Sequence, residues 1–209
     1  VMLLVDVSGS RNFGTLSQMK RDMMAEVAAT LAFSTIANND KVGVIFFSDK
    51  IEKYIPAQKG KTHVLHIIRE LLSFEPNSKG TDMAQALQYF ANAQKRHCTA
   101  FLISDFIGAG AVDKPLLIAS NRHEVNAIQI YDRREAELPN IGLVKFHDAE
   151  SDKDLWIDTS LATVRDDYAQ AWKQNQDLLE QLFTRTGVNH ISVRTDEDYV
   201  KALMHLFRC

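Results

Sequence analysis

Short apolar runs alternate along this chain with amphipathic stretches of helical period. The runs predict strands, because a strand that is buried on both faces is hydrophobic at nearly every position. They cover residues 1–5, 42–47, 99–105, 125–130 and 190–193. A short edge strand is also predicted over residues 51–55, ended by Pro56.

Between the runs, hydrophobic residues recur every three or four positions, which predicts helices that cover a sheet. The first helix is predicted to begin at a capping box with Thr15 as its N-cap and to end before Asn38. The last is predicted over residues 196–207, with Thr195 as its N-cap. The other predicted helices span 62–73, begin near Thr81, begin near Asp113, and span 162–186.

The alternation of strands and helices predicts an α/β fold, with an open, mostly parallel, Rossmann-like sheet and helices on both faces. Only the stretch from 132 to 158 departs from this alternation, being rich in loops with weak strands over 143–146 and 155–157. In open α/β sheets, ligands bind outside the carboxyl ends of the strands. The chemistry of this chain is therefore expected at that edge.

Composition narrows the classes of function. The length of 209 residues fits one domain, and 45% hydrophobic with 24% charged residues is typical of soluble globular proteins. The net charge of -3 gives no basic field, so neither nucleic acid nor an anionic membrane surface is indicated. No apolar stretch reaches the roughly 18 residues that span a bilayer.

Two cysteines without a CxxC pair favour a reducing compartment, so we expect a cytoplasmic protein. The chain starts in an apolar run without an initiator methionine. We therefore expect residues 1–209 to be a single domain from a longer protein that also has an upstream region.

Side chains with hard oxygen atoms lie at the ends of three predicted elements, at the expected edge of the sheet. Asp6, Ser8 and Ser10 follow the first strand, Thr81 begins a helix, and Asp105 ends a third buried strand. Carboxylate and hydroxyl oxygens suit a hard divalent cation, so we expect magnesium, with manganese or calcium as alternatives. At least one coordination position would stay open, and a Glu or Asp of a protein partner would fill it.

These residues resemble the metal-ion-dependent adhesion site (MIDAS) of von Willebrand factor A domains, whose pattern is D-x-S-x-S followed by a distant Thr and a distant Asp. The rest of the chain resembles a bacterial branch of that superfamily, the domain of unknown function 58. The segments that carry this resemblance are G-V-I-F-F-S at 43–48, G-T-D at 80–82, I-S-D-F at 103–106, D-R-R-E at 132–135 and D-A-E at 148–150. Arg133 and Ala149 stand where the last two motifs of the family have proline.

The resemblance implies a von Willebrand factor A-like fold and an interaction module, with Asp6, Ser8, Ser10, Thr81 and Asp105 as metal ligands. Members of the family are often encoded beside a MoxR-type AAA+ ATPase. The resemblance therefore also implies a role as an adaptor or co-chaperone of such an ATPase. No enzymatic activity is firmly attached to the family.

A metal-dependent phosphohydrolase of the haloacid dehalogenase type is the alternative, with Asp6 as its nucleophile. Such an enzyme normally has a second aspartate two residues later as general acid, and that position is Ser8 here. Asp105 is followed by Phe106 rather than by a second acid. Without a general acid, protonation of the leaving group has no agent, so the sequence favours binding over catalysis.

Each residue also has a purely structural interpretation. Asp6, Ser8 and Ser10 fit a polar turn between a strand and a helix. Thr81 fits a plain N-cap, and Asp105 fits a simple loop residue. Asp132 and Glu135, in the D-R-R-E segment, are expected to fix their own loop rather than to take part in chemistry.

Overall fold

The structure is a computed structural model that describes residues 1–8, 14–75, 78, 80–108, 110–148 and 153–206, with the side chains of 14–19, 146–148 and 153 left out. Its eight strands are Met2–Asp6 (β1), Val42–Phe47 (β2), Ile51–Gln58 (β3), Thr99–Ser104 (β4), Glu124–Tyr131 (β5), Leu143–Asp148 (β6), Lys153–Asp158 (β7) and Asn189–Arg194 (β8). Its seven helices are Gly14–Ala37 (α1), Lys61–Ser73 (α2), Met83–Ala93 (α3), Asp113–Ser120 (α4), Arg133–Ala136 (α5), Ala162–Thr186 (α6) and Tyr199–Leu206 (α7).

Six of the strands form the central sheet, in the order β3-β2-β1-β4-β5-β8. In this sheet the parallel strands are β2, β1, β4, β5 and β8, whereas β3 pairs antiparallel with β2 at the edge. The predicted α/β class with an open, mostly parallel sheet is confirmed. Because the parallel strands share one direction, the residues that follow β1 and β4 lie at the same edge.

Helices cover both faces of this sheet, as the sequence predicts. Successive residues of β1 point to opposite faces, so Leu3 and Val5 pack under α1, α2 and α7, whereas Met2 and Leu4 pack under α3, α4 and α6. All five residues of β1 are buried, which agrees with the continuous apolar run. The central strand is therefore fixed from both sides, and Asp6 is held at its end.

The prediction that Pro56 ends the edge strand is wrong. β3 continues through Pro56 to Gln58, because the strand has a neighbour on one side only and its pairing is irregular between Val42 and Val44. At this irregularity a missing N–H costs little. Gly43 accommodates the bulge, since a Cβ there would lie 2.8 Å from Ala57 N and Ile55 O.

The segment between β5 and α6 is more regular than the loop-rich stretch that the sequence suggests. It contains the short helix α5 and an antiparallel pair of strands, β6 and β7, which form a second sheet of their own. Leu155 and Trp156 of β7 are 61% and 60% exposed. The two weak strands are confirmed, but they pair with each other rather than with the central sheet.

The helix predicted near Thr81 is confirmed, since α3 begins at Met83, but three assignments of helix caps are wrong. Thr15 lies inside α1, because the helix already begins at Gly14. Thr195 does not cap α7: its hydroxyl donates to Asp132 Oδ2, and Asp198 accepts from Val200 N instead. Asp82, rather than Thr81, is the N-cap of α3, and its side chain accepts from Gln85 N.

Along the described ranges, no helix combines the length and the apolar character that crossing a bilayer requires.

Candidate metal centre

Asp6 lies at the carboxyl end of the central strand and is 6% exposed. Its Oδ1 accepts from the Ser8 backbone N at 2.9 Å and from the Ser8 hydroxyl, and its Oδ2 accepts from Ser104 Oγ at 2.6 Å. The Ser104 hydroxyl in turn accepts from Phe106 N at 3.0 Å. Asp6 is therefore held in one orientation by the loop after its own strand and by the neighbouring strand β4.

Thr81 approaches from a second loop. Its hydroxyl donates to Ser8 Oγ at 2.5 Å, so two hydroxyl oxygens and the Asp6 carboxylate form one connected cluster. The loop is fixed by a hydrogen bond from Asp82 N to Ser48 O at 2.8 Å, which joins it to the end of β2. Because Asp82 provides the cap of α3, the Thr81 hydroxyl is not needed for capping and faces Ser8 instead.

Asp105 follows β4 and presents its carboxylate in the third loop. Its Oδ1 accepts from Ile107 N at 3.0 Å, and its Oδ2 accepts from Lys20 Nζ at 2.6 Å. The backbone oxygen of Asp105 accepts from the buried Gln129 side chain at 3.3 Å. Hydrogen bonds from its own loop, from α1 and from β5 thus fix the position of this residue.

The next residue, Phe106, has a backbone φ of 59°, in the left-handed region that side chains with a Cβ rarely adopt. Its ring is buried and packs edge-on against Phe183 of α6, with the ring centroids 5.3 Å apart. The packing compensates for the unfavourable backbone conformation, which turns the chain sharply after Asp105.

The ammonium group of Lys20, on α1, adds a positive charge beside this cluster. Its Nζ also lies 2.5 Å from Glu135 Oε1, and its side chain is only 8% exposed. Glu135 belongs to the capping box of α5, because its Oε2 accepts from Asp132 N at 3.1 Å while Asp132 Oδ1 accepts from Arg134 N. Asp132 therefore fixes its loop, as predicted, whereas Glu135 fixes the loop and also contacts Lys20.

The surroundings of Asp6 disfavour the ionised form of its carboxyl group. Burial, together with the nearby Asp105 carboxylate, raises the pKa of Asp6 to about 6, against hydrogen bonds from Ser104 and Ser8 that lower it. Burial also raises the pKa of Glu135, more than the Lys20 ammonium lowers it. A buried carboxylate whose pKa is raised in this way would gain from a cation beside it.

The donor set fits a hard divalent cation. Asp6, Ser8, Thr81 and Asp105 offer carboxylate and hydroxyl oxygens from three loops at one edge of the sheet. Ser10, the remaining candidate, lies outside the described residues. Within the described part of the chain, no group of three or more His, Cys, Asp or Glu side chains is placed to hold a metal, so a metal here would depend on the hydroxyls.

Sequence reasoning missed Lys20, Ser104 and Gln129. One signal was present for each, since a polar residue stands where the pattern expects an apolar one. Lys20 lies on the same helical face as Met24 and Val27, four and seven positions later, and Ser104 and Gln129 interrupt apolar strands. None of these signals indicates which partner the side chain has.

Comparison with other sequences reveals a family and distant relatives. A family model described as "Protein of unknown function DUF58" matches residues 1–178. An uncharacterised protein of Mycobacterium tuberculosis (strain ATCC 25618 / H37Rv) is 32% identical over 202 residues, which cover 95% of this chain and 63% of that protein. The chain thus spans less than two thirds of the length of the curated relatives that it resembles over almost its whole extent.

Comparison with solved structures supports the architecture. This chain is similar to the crystal structure of the conserved hypothetical protein BatB from Bacteroides thetaiotaomicron, with a TM-score of 0.61 and 15% sequence identity. The similarity extends over 99% of this chain and 96% of BatB. A von Willebrand factor type A structure from Catenulispora acidiphila gives a weaker match, with a TM-score of 0.48 at 15% identity over 82% of this chain and 41% of that one. At 15% identity, the likeness to BatB concerns the fold alone.

Proposed function

Since this chain belongs to the family of proteins of unknown function DUF58, as its motifs suggested, we propose a function from its own residues. The chain is a protein–protein interaction module that binds an acidic group of a partner through a divalent cation. The cation is held by Asp6, Ser8, Ser10, Thr81 and Asp105, and it is magnesium, with manganese or calcium as alternatives.

One observation carries the proposal. The hydroxyls of Ser8 and Thr81, which come from different loops, meet within 2.5 Å beside the buried carboxylate of Asp6. A structural cap or turn needs only one of these groups, and α3 already has Asp82 as its cap. Oxygens gathered from separate loops around a buried carboxylate are what a hard cation requires.

The same donor set favours an acidic partner group. Two ligand carboxylates match the charge of a divalent cation, while the remaining protein ligands are neutral hydroxyls. When bound, such a cation supplies a positive charge with an open coordination position that accepts a carboxylate oxygen. A Glu or Asp side chain of a partner protein therefore fits the position better than a neutral group does.

In this proposal the partner is a MoxR-type AAA+ ATPase or a protein that such an ATPase remodels, and the chain acts as an adaptor or co-chaperone in the cytoplasm. This part rests on the family resemblance.

The phosphohydrolase alternative is disfavoured, because Ser8 at the position of the general acid donates to Asp6 and accepts from Thr81. Asp105 likewise pairs with Lys20 and is not free to act as an acid.

A thermal-shift titration with magnesium or manganese tests the proposal. The full chain should gain stability as the metal concentration rises, by about 2.7 kcal/mol at one hundred times the dissociation constant. Asp6→Asn should lose this response, because an amide keeps the shape of the side chain but not its charge. Asp40→Asn, at an exposed loop before β2, is the matched control and should respond like the parent chain.

Two outcomes would contradict the proposal. The first is a parent chain whose unfolding temperature does not change with either metal. The second is release of phosphate from a generic phosphate ester that disappears in Asp6→Asn, which would identify the chain as a phosphohydrolase. A pull-down with both forms then identifies partners that depend on the metal.

A further inference from the structure

A buried ammonium lies between two carboxylates beside the candidate metal centre. Lys20 Nζ is 2.6 Å from Asp105 Oδ2 and 2.5 Å from Glu135 Oε1. The three side chains come from α1, from the loop after β4 and from α5, so these ion pairs connect three separate elements. Of the three residues, only Asp105 belongs to the proposed ligand set.

Burying an ammonium is costly unless opposite charges surround it. Burial alone would lower the pKa of Lys20, but Asp105 and Glu135 outweigh this effect and hold the pKa above its ordinary value. Lys20 therefore keeps its positive charge at neutral pH. It is a fixed charge in direct contact with a proposed ligand of the cation.

Among the described residues, the ion pairs and the mutual repulsion of Asp6 and Asp105 connect four ionisable groups, which are Asp6, Asp105, Glu135 and Lys20. With all four charged, three carboxylates and one ammonium leave a formal charge of about -2, which a divalent cation neutralises. Removing the charge of Lys20 makes the site more negative, and removing the charge of Glu135 makes it less negative. Either change alters the field at the cation, although neither residue is a ligand.

We propose that Lys20 and Glu135 are positioning residues that set the affinity of the centre for its divalent cation. Lys20 holds the Asp105 carboxylate and offsets part of its charge, while Glu135 holds Lys20 and offsets part of the ammonium. The inference rests on the proposed function, because it requires a cation bound at Asp6 and Asp105.

A purely structural role of the same contacts has different consequences. If Lys20 and Glu135 only joined the three elements, loss of either side chain would loosen Asp105 and weaken cation binding. If they set the charge of the centre, the two losses act in opposite directions. The sign of the change in affinity therefore separates the two roles.

Isothermal titration of manganese chloride into the full chain at neutral pH measures that sign. Lys20→Met should lower the dissociation constant and Glu135→Gln should raise it, each on the order of tenfold. The double variant has the same net charge as the parent chain, so its dissociation constant should return to within about threefold of the parent value. Lys20→Arg keeps the positive charge and should also stay close to the parent chain.

The Lys53–Glu70 pair provides matched controls. It joins β3 to α2 at 2.7 Å, is partly exposed and does not contact the centre. Lys53→Met and Glu70→Gln should leave the dissociation constant unchanged. Glu135→Gln is expected to fold, because the amide oxygen of Gln can still accept from Asp132 N in the capping box.

The double variant keeps the test decisive even if Lys20→Met alone does not fold, since it leaves neither the buried ammonium nor Glu135 unpaired. Binding in the double variant that is as weak as in Glu135→Gln would overturn the inference and assign a structural role. Unchanged affinity in every variant would overturn it as well. A parent chain that binds no manganese would instead overturn the proposed function.

Discussion

Asp6 is the residue at which burial and charge conflict most directly. It ends the central strand of an apolar core, yet its carboxylate accepts three hydrogen bonds and lies close enough to Asp105 to be affected by that charge. Without a cation, the folded protein reduces this conflict by binding a proton below about pH 6. With a cation, the carboxylate can stay ionised, so proton and metal compete for one group.

This competition predicts the pH dependence of stability. The pKa of Asp6 rises from 3.8 to about 6 on folding, so the folded chain binds the proton more tightly than the unfolded chain does. In EDTA, the contribution of Asp6 to stability should therefore fall by on the order of 2–3 kcal/mol as pH increases from about 4 to about 6, and then level off. Urea denaturation of the parent chain and of Asp6→Asn isolates this contribution as their difference.

Saturating magnesium should remove most of that loss above pH 6, because the ionised carboxylate is then paired. A difference between the parent chain and Asp6→Asn that stays constant from pH 4 to 7.5 would show that the Asp6 pKa is not raised.

At the scale of single residues, the sequence predicted which candidate side chains lie at one edge of the sheet better than it predicted their neighbours. Asp6, Ser8, Thr81 and Asp105 were identifiable because each follows or begins a predicted element at one edge of the sheet. Their binding of a metal stays a prediction. Lys20 was not identifiable as a neighbour, since its contacts with Asp105 and Glu135 span 85 and 115 positions of sequence, and helical periodicity gives no information about such contacts.

At the scale of elements, two neighbouring residues at the start of α3 differ in their roles. Asp82 caps the helix, whereas Thr81 belongs to the proposed ligand set. Asp82 accepts from Gln85 N at 2.9 Å, so its role is to satisfy a free N–H of the first turn. Asp82→Ala should cost about 1 kcal/mol of stability, whereas Asp82→Asn should cost little, because Asn caps equally well. Chemical denaturation measures both variants.

Neither substitution should abolish the thermal response to magnesium. If Asp82→Asn kept its stability but lost that response, Asp82 would have to be added to the metal ligands.

Element types were predictable because long apolar runs and helical periodicity are local signals. The ends of the elements were less predictable, because they depend on contacts between residues that are far apart in the sequence. Pro56 does not end β3, because an edge strand tolerates a missing N–H at a bulge, and edge position is a property of the assembled sheet. Thr195 is of a residue type that commonly caps helices, but its hydroxyl instead donates a hydrogen bond to Asp132, 63 positions away.

At the scale of the whole molecule, the two sheets differ in how they are supported. The central sheet is covered on both faces, whereas β6 and β7 form a separate hairpin. At the base of this hairpin the Thr159 hydroxyl donates to Gly142 O at 2.7 Å, and Arg165 connects the base to α6 by donating to the Thr159 and Ser160 backbone oxygens. The mostly parallel character of the central sheet followed from the alternating pattern, but its strand order and the separation of this hairpin did not.

The two tryptophans report on this difference. Trp156 on β7 is 60% exposed, while Trp172 on α6 packs against Tyr131 with the ring centroids 5.3 Å apart. Trp156→Phe should therefore shift the fluorescence maximum to shorter wavelength and reduce quenching by acrylamide, and Trp172→Phe should do the opposite. Equal quenching in both variants would mean that the hairpin is covered in solution.

The proline in β3 has a consequence for the behaviour of many copies of this chain together. An outermost strand with a full row of free N–H and C=O groups is a template on which another chain can add its own strand. Pro56 removes one donor from that row, and the bulge beside it disturbs the regular spacing of the others. At this edge the sheet is thereby protected against growth into larger aggregates at high concentration, at little cost to its own pairing.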